Sequence, residues 1–343
     1  MAEHIDGPLY YEAMGKSGPV MAFVHPNPMD QSCWIFQMAQ MSTWYRCIAI
    51  DLPGYGKSPK ARAGLTMQDI AQACWQAIDD AYPGERAILV GCSIGSSMLI
   101  WMHNQRPQQT AALIMCGTGY NPKKEFIPPR IEAYKEHGIG YRWGYTFEDF
   151  SPAFRATPMA HFFADLFADR NVFGDVDTII TQFEAYRQPE PEGHHAKVAC
   201  PAIIITGSED NTHRTAFALQ KRIAGCELKI VYGAGHACQI EQPSEVCPAV
   251  APGDKFQIVP RFDHPLIPAW QSFLAANDIG VAGIEFIADT QGRAYIYDVN
   301  TNTNYNPDAE TKDGRRGMQA IALHLNRLLV ERYGAAGRLA SAA

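Results

Sequence analysis

Six short apolar runs punctuate the first part of the chain: Val20–Val24, Cys47–Ile50, Ala87–Val90, Ala111–Cys116, Ala202–Thr206 and Leu228–Tyr232. Several are apolar at every position rather than at alternate ones, the pattern of strands buried on both faces of a parallel sheet. Between them, Thr66–Ala81 and Ser96–Asn104 repeat apolar residues at helical spacing, as does Thr215–Ile223. Strands alternating with helices predict an α/β fold built on a mostly parallel, doubly wound sheet. In such a sheet the catalytic groups gather at the carboxyl ends of the strands.

From about residue 120 to 197 the rhythm breaks. This stretch lies between the strands at Ala111–Cys116 and Ala202–Thr206. It is helical in character and rich in aromatics: Tyr134, Tyr141, Trp143, Tyr145, Phe147, Phe150, Phe154, Phe162, Phe163 and Phe167. It reads as a cap over the active site, with most of these rings packing the insertion onto the sheet. An aromatic cap also predicts a substrate with an apolar acyl or alkyl group. A second change follows Gln242-Pro243, where Pro248 and Pro252 oppose a closing helix. Pro265–Ala276, with Trp270, Phe273 and Leu274, is expected to take that helix's place. The runs Gly283–Asp289 and Ala294–Asn300, separated by Thr290-Gln291-Gly292-Arg293, read as a hairpin, with a final helix near Gly317–Tyr333. The expected division is therefore residues 1–246 with a cap insertion at 120–197, then a small α+β module over 247–343.

Composition narrows the function classes. With 47% hydrophobic and 19% charged residues in 343, a sizeable core is available. A formal net charge of −7 argues against a nucleic-acid partner, which calls for clustered Lys and Arg. No run approaches the roughly 18 apolar residues of a membrane helix, and the start Met1-Ala2-Glu3-His4-Ile5-Asp6 lacks a signal-peptide pattern. Nine cysteines, without a C-x-x-C pair, fit reduced thiols and a cytoplasmic location.

Three segments carry candidate chemistry. Gly91-Cys92-Ser93-Ile94-Gly95 directly follows an apolar run, the form of a strand-to-helix turn that exposes a nucleophile. Gly207-Ser208-Glu209-Asp210 and Gly233-Ala234-Gly235-His236 each follow a later strand. A serine hydroxyl needs a base to take its proton as it attacks, a role for His236. The imidazole in turn needs a carboxylate to fix its tautomer, assigned to Asp210, with its neighbour Glu209 as the other candidate. Gly54-Tyr55-Gly56-Lys57-Ser58 is not a phosphate-binding loop, because Asp51 stands where its first glycine belongs.

Residues 1 to about 246 resemble the α/β-hydrolase family through four motifs in the right order. They are His25-Pro26-Asn27-Pro28, Asp51-Leu52-Pro53-Gly54-Tyr55-Gly56-Lys57-Ser58, the Ser93 turn and the Gly235-His236 segment. The resemblance implies a serine hydrolase with the triad Ser93, Asp210 and His236, and an oxyanion hole from the backbone N–H groups of Asn27 and Ile94. Pro26 departs from the family's glycine at that position, and His25 is read as holding the turn. Hydrolysis of a small-molecule ester or lactone follows, with no cofactor required. Carbon–carbon bond hydrolases of the family share the same triad.

The segment from about 247 to 335 resembles the C-terminal end of an ATP-grasp ligase. Glu285 on one strand and Asp298 with Asn300 on the next stand at that family's magnesium positions, so the resemblance implies a possible Mg2+ site there. The nucleotide-clamping elements of such a ligase are missing from the chain. An ATP-dependent carboxylate–amine ligase is accordingly the rival reading from another class, and an inert scaffold is the third.

Overall fold

A computed structural model describes residues 3–170, 175–250, 263–279, 282–288, 293–300, 321–325 and 327–328. The chain divides into two compact units, Met1–Pro252 and Gly253–Ala343.

The first unit is built on seven strands: β1 (Tyr11–Met14), β2 (Val20–Val24), β3 (Arg46–Ile50), β4 (Ala87–Cys92), β5 (Thr110–Cys116), β6 (Ala202–Gly207) and β7 (Glu227–Val231). Their order across the sheet is β1-β3-β2-β4-β5-β6-β7. β1 runs antiparallel to β3, and every other pairing is parallel. The expected mostly parallel sheet is therefore present, with one antiparallel edge strand that no apolar run announces. β1 is short and three of its four residues are exposed, so it leaves no hydrophobic signature.

The unbroken apolar runs divide their side chains between two cores. In β2, Val20, Ala22 and Val24 join one buried cluster while Met21 and Phe23 join the other. Ile48 and Ile50 of β3 face the first, and Cys47 and Ala49 the second. Helices α1 (Ile35–Met41), α2 (Met67–Ala81) and α3 (Ile94–Gln105) cover both faces: α2 and α3 pack into the first cluster, α1 into the second. Thr66 starts α2 with a capping box, its hydroxyl accepting from the Asp69 N–H while the Asp69 carboxylate accepts from the Thr66 N–H.

Five helices lie between β5 and β6, as the cap reading predicts: α4 (Ile127–His137), α5 (Tyr141–Glu148), α6 (Pro152–Arg155), α7 (Pro158–Arg170) and α8 (Val176–Arg187). Tyr134, Phe150, Phe163 and Phe167 are almost wholly buried. α9 (His213–Gln220), α10 (Cys238–Glu241) and α11 (Pro243–Val250) complete the unit.

The expectation about the closing helix is overturned. α11 runs through Pro248 and buries Val246 and Cys247 in the second core cluster. A proline removes one intrahelical hydrogen bond, but in a helix this short the apolar face against the sheet outweighs that loss. The predicted replacement, Pro265–Ala276, falls largely on α12 (Ile267–Ala276), a helix of the second unit.

In that second unit, β8 (Gly283–Ala288) and β9 (Ala294–Asn300) form the expected antiparallel hairpin. Its backbone register sets Glu285 opposite Asp298 and Gly283 opposite Asn300. The side chains of these three candidate metal ligands, Glu285, Asp298 and Asn300, lie outside the described residues. Residues 321–325 are helical, within the predicted final helix. No described helix is long and apolar enough to cross a membrane.

Trp75 is fully buried between α2 and α3, and its indole N–H donates to the Met102 carbonyl at 2.9 Å. Trp75→Ala is expected to cost about 3–5 kcal/mol of unfolding free energy, measured by denaturant titration.

Candidate active site

The strand order creates a switch point. From β2 the chain crosses to β3 on one side, while β4 lies on the other. The carboxyl ends of β2 and β4 thus border a crevice that neither connection fills. The segment after β2 carries His25 to Pro28, and the one after β4 carries Ser93.

At Ser93 the backbone takes φ 56° and ψ −119°, a combination that non-glycine residues avoid. Its N–H donates to the Cys116 carbonyl at 3.0 Å, and α3 begins at the next residue. The flanking glycines are needed for close approach. A Cβ at Gly91 would fall 2.6 Å from the Gly95 carbonyl carbon, and one at Gly95 would fall 2.3 Å from the Val24 carbonyl oxygen. Ser93 therefore sits at the tip of a turn wedged against the end of β2.

His236 follows β7. Its Nδ1 is 2.9 Å from Asp210 Oδ1, which fixes Nε2 as the other ring nitrogen. Asp210 also accepts from the Thr212 N–H at 2.8 Å and the Thr212 hydroxyl at 2.7 Å. Burial pushes the Asp210 carboxyl up, but the His236 charge and these hydrogen bonds outweigh it and hold the group below its ordinary value. Burial likewise pulls His236 down, and the charge and hydrogen bond of Asp210, with Asp149 added, reverse this and raise it to about 9. Glu209 is exposed.

The histidine of the first motif holds its turn, as expected. His25 Nδ1 lies 2.8 Å from the Pro26 carbonyl, and its Nε2 accepts from the Leu52 N–H at 2.9 Å. Burial lowers this imidazole to about 4, so it stays neutral. Neither Pro26 nor Asn27 has a positive φ. The Asn27 side-chain oxygen accepts from the Tyr55 hydroxyl and, at 3.4 Å, from the Tyr134 hydroxyl of the cap. Ile94 opens α3, where first-turn N–H groups have no intrahelical acceptor.

Ser93, His236, Asn27 and Ile94 all line one cavity of about 260 Å3, and Asp210 stands behind His236. Of the ten cap aromatics read from the sequence, Tyr145 is the one on this cavity. Phe126, Phe183 and Tyr186 supply the rest of the aromatic wall.

Two charged lining residues escaped the sequence reading, Arg130 and Asp149. Both lie within the aromatic stretch, and nothing in its spacing distinguishes an inward charge from a solvated one. Asp149 is nearly buried, and its backbone carbonyl accepts from the His236 N–H at 2.8 Å. Burial raises its carboxyl to about 6, opposed by the nearby His236 and Arg130 charges. Two residues on, the Ser151 hydroxyl and N–H donate to Glu241 at 2.6 and 3.1 Å. Among the described residues no group of three or more His, Cys, Asp or Glu is placed to hold a metal ion.

A mostly parallel α/β sheet with a pocket at its switch point is the usual setting of an enzyme's site in open α/β folds. The chain belongs to the alpha/beta hydrolase family, matching it over residues 21–249. It is 23% identical over 244 residues to the dihydrolipoyllysine-residue acetyltransferase component of the acetoin cleaving system of Pseudomonas putida, covering 69% of this chain and 64% of that protein. The chain thus spans just under two thirds of that relative's length. It is also 23% identical over 244 residues to 3-oxoadipate enol-lactonase 1 of Acinetobacter baylyi, covering 67% and 86%. Among solved structures, the enol-lactonase of Burkholderia xenovorans LB400 superposes with a TM-score of 0.64 at 19% identity, over 72% of this chain and 96% of that one. An esterase from Thermogutta terrifontis gives 0.62 at 22% identity, over 71% and 91%. Identities at this level establish a shared fold.

The electrostatics of His236 are directly measurable. Its ring is expected to titrate well above the ordinary 6.5 in an NMR pH series. Asp149→Asn and Asp210→Asn should each lower that midpoint, because each removes a negative charge that favours the imidazolium, and the Asp210 change should be the larger.

Proposed function

We propose that the protein is a serine hydrolase that cleaves a small carboxylic ester or lactone through an acyl-enzyme on Ser93. One observation carries the reading: Ser93, on its strained turn, shares a cavity with His236, whose far nitrogen is held by Asp210. The names of the relatives, lactonase and esterase, support the same chemistry.

In the proposed cycle, Ser93 Oγ attacks the carbonyl carbon as its proton passes to His236 Nε2. Asp210 stabilises the imidazolium so formed. The carbonyl oxygen becomes an oxyanion, received by the N–H groups of Ile94 and Asn27, each such donor being worth about 3 kcal/mol in comparable sites. As the C–O bond breaks, His236 returns the proton to the leaving alkoxide. With a lactone the alcohol stays tethered to the acyl group. His236 then takes a proton from water, the resulting hydroxide attacks the acyl-enzyme, and the carboxylic acid leaves as Ser93 regains its proton. Side chains, backbone donors and water complete this cycle without a cofactor.

The test is hydrolysis of p-nitrophenyl esters of increasing acyl length by wild type and Ser93→Ala. Removing the serine should cost on the order of 10⁶ in kcat. Only the neutral imidazole can accept the serine proton. With His236 raised to about 9, kcat/KM should climb with pH across the neutral range and level off only near that value. Folded wild type that turns over no ester, or Ser93→Ala that retains activity, would overturn the assignment.

A further inference from the structure

The cavity contains one cation that the proposed cycle does not use. Arg130, on the first cap helix α4, is the sole lysine or arginine among the lining residues. Its guanidinium carbon lies 3.6 Å from the ring centroid of Tyr145 and 5.9 Å from that of Phe126. Stacking on an aromatic face fixes the guanidinium plane and leaves its edge N–H groups available. Among the described residues no carboxylate lies within ion-pairing distance of it. The acidic group on the cavity wall, Asp149, is near enough for its charge and that of Arg130 to favour one another, but the two form no ion pair.

An oriented guanidinium that makes no ion pair, in the same small cavity as the nucleophile, is a receptor for an anion. Resting on the serine-hydrolase reading, we propose that Arg130 selects a substrate bearing a second, free carboxylate: a monoester or lactone derived from a short dicarboxylic acid. The planar fork matches a carboxylate with two parallel N–H···O bonds. Asn121 and Asn211 also line the wall. A cavity of about 260 Å3 suits a short acyl chain. The expectation of an apolar acyl or alkyl group, drawn from the aromatic cap, is thereby narrowed: the aromatic wall itself carries a cation.

The test compares two esters of matched length, mono-4-nitrophenyl glutarate and 4-nitrophenyl pentanoate, on the full chain. Wild type should prefer the anionic ester in kcat/KM by about tenfold or more. Arg130→Gln should lower kcat/KM for the anionic ester by about 10- to 100-fold, chiefly through KM, the effect of losing hydrogen bonds to a charged group. The neutral ester should lose several-fold less than the anionic one, any loss it shows coming from the change in charge around His236. Arg130→Lys keeps the charge without the fork and should fall between. It also carries the comparison if the glutamine variant does not fold. In parallel, calorimetric titration of wild type with glutarate should show binding that weakens by a similar factor in Arg130→Gln. This titration decides the matter even if no ester is cleaved, in which case the hydrolase reading fails separately. Equal losses on both esters, or glutarate binding indifferent to Arg130, would overturn the proposal.

Discussion

The site depends on how closely the start of α3 is pressed against the end of β2. At Gly95 there is no room for a Cβ, because the Val24 carbonyl stands 2.3 Å from where it would be. This contact does two things at once. It goes with a left-handed backbone at Ser93, which places that residue on the cavity wall. It also brings the segment after β2, with Asn27, to the same cavity as the first N–H of α3. Neither arrangement survives if the helix backs away by the width of a methyl group. The first apolar core, which takes in Ile94 and Met98 to Met102, is what keeps the helix seated.

A second layer is electrostatic. His236 lies in a buried setting that by itself favours the neutral ring, yet two carboxylates favour the cation. Asp210 is bonded to the ring and is itself satisfied by Thr212. Asp149 contributes through space from the cap. The imidazolium that forms during the proposed proton transfer is therefore already compensated before substrate arrives. Such preorganisation is effective because the groups need no reorientation when charge develops.

Much of this architecture was legible in the residues. Unbroken apolar runs such as Val20–Val24 marked central strands because both faces of a parallel sheet are covered. Glycines around Ser93, and the positions of Asp210 and His236 after their strands, marked the site because each meets a local geometric demand. What escaped was set by tertiary contact. β1 has no apolar pattern, since it is an exposed edge strand paired through its backbone. Pro248 suggested a helix break, but burial of Val246 and Cys247 outweighed the missing hydrogen bond. Arg130 and Asp149 looked like ordinary surface charges, and only the folding of the cap turned them inward.

The seam between the cap and the histidine loop bears on how enzymes of this build diversify. The Asp149 carbonyl holds the His236 N–H, and Glu241 gathers the Gly235 N–H together with both donors of Ser151. A side chain at Gly235 would collide with the Ser151 nitrogen at 2.6 Å. Residues 149–151 are in this sense part of the His236 loop, although they belong by sequence to the insertion. A cap is often regarded as an exchangeable accessory on a conserved chassis. Here a foreign cap grafted between β5 and β6 would have to reproduce this three-residue footing, or the histidine would lose its anchor. Changes of specificity are thus best accommodated in the helices that stand clear of the seam, while a change in the seam would call for a matching change in the His236 loop.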